Sequence, residues 1–263
     1  MRMGRTFAAA AAACLAFAAT ATGEVKTKVV DYTVSGTQLQ GMLAWDDAVK
    51  VKRPGVLVVH EWWGHNEHAR TQARKLAEAG YVAFALDLFG KGKVTTHPKE
   101  ATAFMNEALA NPGVTAARFS SAVELLKKDP NVDANKIAAV GYCFGGSVAL
   151  EIARAGAPLN AVVAIHANLA TENPAQPGKV KAQILVLNGE ADPMIPPAQI
   201  DAFKKEMTAA GAKFNVITYP GAKHAFTNPD AGKAGVPALE YNAHADHESF
   251  AEMTKFLKGV FAS

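Results

Sequence analysis

The stretch Ala138-Ala-Val-Gly-Tyr-Cys-Phe-Gly-Gly-Ser147 decides how this chain is read. Residues 136–141 have the apolar character of a strand buried on both faces, and residues 144–155 read as a helix that follows at once. Between them lies Gly141-x-Cys143-x-Gly145-Gly146, the pattern of a nucleophile elbow with cysteine where serine is commoner. The residue types have a physical reason. A strand that turns straight into a helix strains the residue at the corner, and a side chain at 141 or 145 would strike neighbouring backbone. The turn would hold the Cys143 sulfur at the carboxyl edge of a sheet and at a helix N-terminus, where the dipole favours thiolate over thiol. The backbone N–H of Phe144 would then be aimed at the oxygen of a bound carbonyl group. A small buried core cysteine is the alternative reading of the same residue.

Working outward, strands and helices alternate. Residues 28–34 and 39–45 suggest an antiparallel hairpin around Ser35-Gly36-Thr37. Strands are expected at 55–60, 81–87, 161–165, 184–188 and 214–219. Helices are expected at 66–79, from near Pro98, from near Val114, at 197–210 and from about Leu239 to Phe261. This order implies an α/β fold, a mainly parallel central sheet with helices on both faces. No stretch after the first residues marks a boundary, so residues 22–263 are expected to form one domain.

The chain has 263 residues, 49% hydrophobic and 19% charged, which excludes disordered and fibrous classes. Its net charge of +3 comes without a clustered basic stripe, so no nucleic-acid partner is expected. Two cysteines allow neither a disulfide framework nor a cysteine-rich zinc module. Arg2 and Arg5 precede an alanine-dominated apolar run ending in Ala19-Thr20-Ala21, which reads as a cleavable signal peptide over residues 1–21. Its removal takes Cys14 with it and leaves Cys143 as the single cysteine of a periplasmic or secreted chain. No segment is long and apolar enough to suggest a membrane span. The oligomeric state is not legible.

Two further residues fit the elbow. In such folds the chain order is nucleophile, acid, histidine. Ile184-Leu-Val-Leu-Asn-Gly-Glu-Ala-Asp192 puts Asp192 in the loop after a buried strand, and Val216-Ile-Thr-Tyr-Pro-Gly-Ala-Lys-His224 puts His224 after the next. Both positions are carboxyl ends of parallel strands, where such sheets build their sites. His224 would move the thiol proton, and Asp192 would fix its tautomer. Taken singly, Asp192 also reads as a turn or capping aspartate and His224 as a loop histidine. After the strand at 55–60 comes Glu61-Trp62-Trp63-Gly64-His65, where Trp62 N–H is the candidate second oxyanion donor. Glu61 is either a group acting on the thiol or histidine, or a capped strand end. Trp62 and Trp63 either stack substrate or pack the core, with Trp62 favoured at the pocket.

The combination Gly141-Tyr-Cys-Phe-Gly-Gly146, Glu190-Ala-Asp-Pro193 and His224-Ala-Phe226, with His60-Glu-Trp-Trp-Gly64, resembles the dienelactone hydrolase family of α/β-hydrolases from about residue 28 to 261. The resemblance implies a Cys143-His224-Asp192 triad, an acyl-thioester intermediate and hydrolysis of lactones or small carboxylic esters without a cofactor. It also implies that Glu61 restrains the resting thiol and is displaced by substrate. The family clamps a substrate carboxylate with two arginines. The corresponding substrate-binding positions here are Lys91, in Asp87-Leu-Phe-Gly-Lys91, and Asn228, four residues past His224. A point-charge lysine and a neutral amide cannot reproduce a bidentate clamp, so less anionic esters or lactones are expected as substrates.

Metal binding is not expected. His60 and His65 lack zincin spacing, and His244 and His247 flank the apolar stripe of the last helix. The rival readings are a non-catalytic ligand-binding protein and a thiol redox sensor on the same fold. The second lacks a partner cysteine to resolve a sulfenic acid.

Overall fold

The computed structural model describes residues 23–262, so the leader expected at 1–21 lies outside the described residues. The elements run β1 Val25–Val34, β2 Thr37–Asp46, β3 Arg53–Val59, α1 Glu67–Glu78, β4 Val82–Leu86, α2 Pro98–Ala110, α3 Pro112–Lys127 and β5 Val132–Tyr142. They continue with α4 Phe144–Arg154, β6 Ala161–Ile165, β7 Gln183–Gly189, α5 Pro197–Ala209, β8 Phe214–Tyr219, a 3-10 turn Ala231–Ala234 and α6 Ala243–Ala262. The eight strands make one sheet in the order β1-β2-β4-β3-β5-β6-β7-β8. The β1–β2 hairpin is antiparallel and β2 joins β4 antiparallel, while every later pairing is parallel. This is the α/β-hydrolase architecture that the alternation of elements implies.

The parallel strands are apolar on both sides because both sides are covered. Leu57, Val59, Ala139, Val162 and Val186 face a core shared with α3, α4 and α5. Val56, Val58, Val140, Val163 and Leu187 face a second core built on α1 and α6. Helix starts follow local chemistry. Proline opens α2, α3 and α5, where its missing N–H costs nothing. Asn66 caps α1 by accepting from Ala69 N at 3.3 Å. Asn66→Ala is expected to cost about 1 kcal/mol in urea-induced unfolding.

Two boundaries differ by four residues from the sequence expectation. Strand β5 begins four residues early because Val132 and Asp133 pair with Arg53 and Pro54 before a register shift at Pro54/Gly55. The last helix begins at Ala243 rather than near Leu239. Leu239 instead bridges to His224, Glu240 N donates to His224 O at 3.1 Å, and Asn242 N donates to Phe226 O at 3.0 Å. Asn242 then caps the helix through Ala245 N, 3.0 Å from its side-chain oxygen. Residues 239–242 are thus held extended by the loop they tie down, although Leu239 lies in phase with the apolar stripe of α6.

Candidate active site

Cys143 occupies the corner between β5 and α4 with φ +51° and ψ −119°, a left-handed region that side chains rarely adopt. The corner is closed by backbone on every side. A Cβ at Gly141 would lie 2.3 Å from Gly145 O, and one at Gly145 would lie 2.3 Å from Val59 O and 2.6 Å from His60 O. Cys143 N donates to Ile165 O at 3.0 Å, which pins the turn to β6. Phe144 N–H, at the first position of α4, and Trp62 N–H carry no backbone hydrogen bond among the described residues.

Asp192 and His224 come together from the loops after β7 and β8. Their loops touch backbone to backbone: Ala191 N donates to Ala222 O at 3.0 Å, and a Cβ at Gly189 would sit 2.2 Å from that same oxygen. Asp192 Oδ1 accepts from Met194 N at 2.8 Å, leaving Oδ2 to take His224 Nδ1 at 2.8 Å. The other ring nitrogen, Nε2, is buried with no hydrogen-bond partner among the described residues, and Cys143 is close enough to act on the ring electrostatically. Burial opposes the imidazolium, but the Cys143 thiolate and the Asp192 carboxylate outweigh it and raise the His224 pKa from the ordinary 6.5 to about 10. A raised folded-state pKa stabilises fully below the ordinary value, and that contribution is lost as pH rises through the folded one. Wild-type stability should therefore decline between about pH 6.5 and 10 in a way that His224→Gln does not show, as thermal melts across that range will record.

Glu61 is 99% buried, directly after β3. Its Oε2 accepts from Asn228 Nδ2 at 2.7 Å and lies 3.5 Å from His68 Nδ1. No bond to Cys143 is present among the described residues. Asn228 is therefore engaged within the protein, and its Oδ1 accepts from Asp230 N at 3.0 Å. Lys91 is carried to the edge strand, where its ammonium meets Asp31 Oδ2 at 2.8 Å. The loop before it is fixed by Asp87, which accepts from Phe89 N and Gly90 N through Oδ1 and from Gln40 N through Oδ2. Trp62 is half-buried, while Trp63 is packed against Ala225 and Leu239 of the histidine loop.

Two residues not singled out by sequence reasoning, His166 and Thr227, complete the surroundings together with His68 of the first turn of α1. His166, after β6, is fully buried with φ +40°, and its ring meets the His224 ring edge-on at 5.1 Å. Burial, reinforced by the charges of His224 and His68, holds His166 neutral, well below the ordinary imidazole range. His166 Nε2 lies 2.9 Å from Thr227 Oγ1, and Thr227 O lies 3.1 Å from His68 Nε2. Thr227 and Asn228 thus stitch the histidine loop to Glu61, His68 and His166. The only sequence signal for His166 is a histidine at the end of an apolar strand. Among the described residues no group of three or more His, Cys, Asp or Glu is placed to hold a metal ion, and no helix is long and apolar enough to cross a membrane.

A strained corner residue between a parallel strand and a helix, with an acid–histidine pair from the next two strand ends at the same sheet edge, defines an α/β-hydrolase. Residues 39–261 match the model of the dienelactone hydrolase family, and the chain belongs to that family. Among solved structures, it is similar to a dienelactone hydrolase-like promiscuous phosphotriesterase from metagenomic libraries. They share 34% identity with a TM-score of 0.86, covering 90% of this chain and 99% of the other. A Yersinia pestis protein provisionally named carboxymethylenebutenolidase is 30% identical over 208 residues, 73% of this chain and 75% of its own. An uncharacterized Caenorhabditis elegans protein is 33% identical over 153 residues, 57% of this chain and 96% of its own.

Proposed function

We propose that this hydrolase cleaves small uncharged carboxylic esters or lactones through Cys143, His224 and Asp192. The observation that carries the reading is His224, held by Asp192 through Nδ1 with its buried Nε2 unpartnered and Cys143 acting on its charge. The Cys143 thiolate attacks the acyl carbon, forming a C–S bond and an oxyanion that takes the N–H groups of Trp62 and Phe144. As the C–O bond breaks, the proton on His224 Nε2 passes to the leaving oxygen. Water then attacks the thioester with His224 accepting its proton. The C–S bond breaks, the thiolate returns beside protonated His224, and the product leaves as the carboxylic acid, which gives its proton to solvent.

The acyl preference follows from what is already engaged. Lys91 is held by Asp31 and Asn228 by Glu61, so neither cation nor free amide is left to clamp a substrate carboxylate. A panel of aryl esters differing only in acyl charge tests this. The expected kcat/KM for an acetate exceeds that for the matching hemisuccinate at least tenfold, or about 1.4 kcal/mol in transition-state binding. Preference for the hemisuccinate would overturn the substrate class, and inactivity on every ester and lactone would overturn the hydrolase reading. The alanine-rich leader places the mature chain in the periplasm or outside the cell in this proposal. N-terminal sequencing of the exported form would find a start near residue 22.

A further inference from the structure

A cavity of about 220 Å3, none of whose lining residues belongs to the elbow, is lined by Ser35, Thr37, Phe89, Phe104, Asn111 and Arg118 among others. Its most informative residue is Arg118, 93% buried on α3. Arg118 Nη1 donates to Leu88 O at 2.6 Å and to Phe89 O at 3.3 Å, and Nη2 donates to Thr37 Oγ1 at 3.1 Å. These bonds hold the loop after β4, but none of them cancels the charge. Among the described residues no carboxylate lies within ion-pair distance of the guanidinium. Glu107 also lines the cavity, yet both its oxygens are held by Lys93 Nζ, at 2.8 and 3.0 Å. A buried cation without a counter-charge is costly, and an anion in the cavity would remove that cost.

The donors are arranged to receive one. Nη2 has a second N–H beyond the one given to Thr37. The Thr37 hydroxyl accepts from Arg118, so its own hydrogen is free to donate. Ser35, at the exposed rim in the hairpin turn, adds a second hydroxyl. Facing these polar groups are the rings of Phe89 and Phe104, whose centroids are 5.7 Å apart. We infer that this cavity is a second binding site, separate from Cys143, for a small monocarboxylate carried on an apolar or aromatic body. The carboxylate takes Arg118, Thr37 and Ser35, and the body lies on the two phenylalanine rings. Phe89 is a wall common to both sites, since its ring also meets His60 at 4.7 Å and Phe144 at 5.4 Å. An occupant would thereby touch a ring that packs on Phe144, the residue after the nucleophile.

Isothermal titration of the full chain with phenylacetate, and with phenylacetamide as its neutral match, tests the assignment. Saturable one-to-one binding of the acid is expected, at least tenfold tighter than the amide. Arg118 also holds a loop, so its replacement risks misfolding, and two milder variants locate the site. Thr37→Val removes a donor at nearly constant shape and should weaken phenylacetate at least tenfold. Val114→Trp fills the half-buried cavity wall and should abolish binding. Equal affinity for acid and amide, no saturable binding, or unchanged affinity in both variants would overturn the inference.

Discussion

Cys143→Ala should lose at least about a thousandfold in kcat/KM toward a small aryl ester while remaining folded, giving up only the share of stability that Cys143 lends through His224. The first half follows from the absence of any other nucleophile poised at the elbow. His224 is held by Asp192 through Nδ1, its Nε2 has no hydrogen-bond partner among the described residues, and Cys143 is the other group that shifts its charge. The second half follows from geometry. Alanine at φ +51° carries the same backbone strain as cysteine, and the half-buried sulfur fills little of the core. Full activity in the variant would remove Cys143 from the mechanism. A loss of stability beyond that share would mean that the side chain supports the fold as well.

Gly145→Ala carries the next largest expected effect, a loss of about 3 kcal/mol in folding stability measured by urea unfolding. Its added Cβ would meet Val59 O and His60 O, which are strand backbone and cannot rotate away as a side chain tip would. The displaced residues lead directly into Glu61 and Trp62, so the folded fraction should also turn over more slowly. Gly113, in the first turn of α3, has nothing within 4 Å of where its Cβ would lie. Gly113→Ala should leave stability unchanged or raise it slightly. A similar cost at both positions would show that lost glycine freedom, rather than contact with β3, sets the effect.

The elbow was legible in sequence because its chemistry is local: glycines at 141, 145 and 146 answer contacts within a few residues or with the adjacent strand. Asp192 and His224 were legible because each lies in the loop after a strand, in a fixed chain order. What escaped depends on contacts between distant segments. Leu239 keeps the helical phase of α6, and only its bridge to His224 shows why the helix starts later. His68 lies in the first turn of α1, and its place beside Glu61 depends on how α1 meets the loop after β8. The engagement of Lys91 by Asp31 depends on the hairpin extending the sheet beside β4. His166 has a strand end to recommend it, but no spacing rule ties it to His224.

The Asn228–Glu61 hydrogen bond bears on how such a site can change over generations. An arginine introduced at 228 meets a carboxylate that is buried and already flanked by His68, so its effect on substrate choice depends on what occupies 61 and 68. Substitutions at these three positions are epistatic, and the order in which they arise matters. Acquiring the cation first ties Glu61 into an ion pair, whereas losing the carboxylate first leaves an amide and an imidazole facing an unfilled partner. Selection for anionic substrates would therefore find few single-step routes open from this sequence.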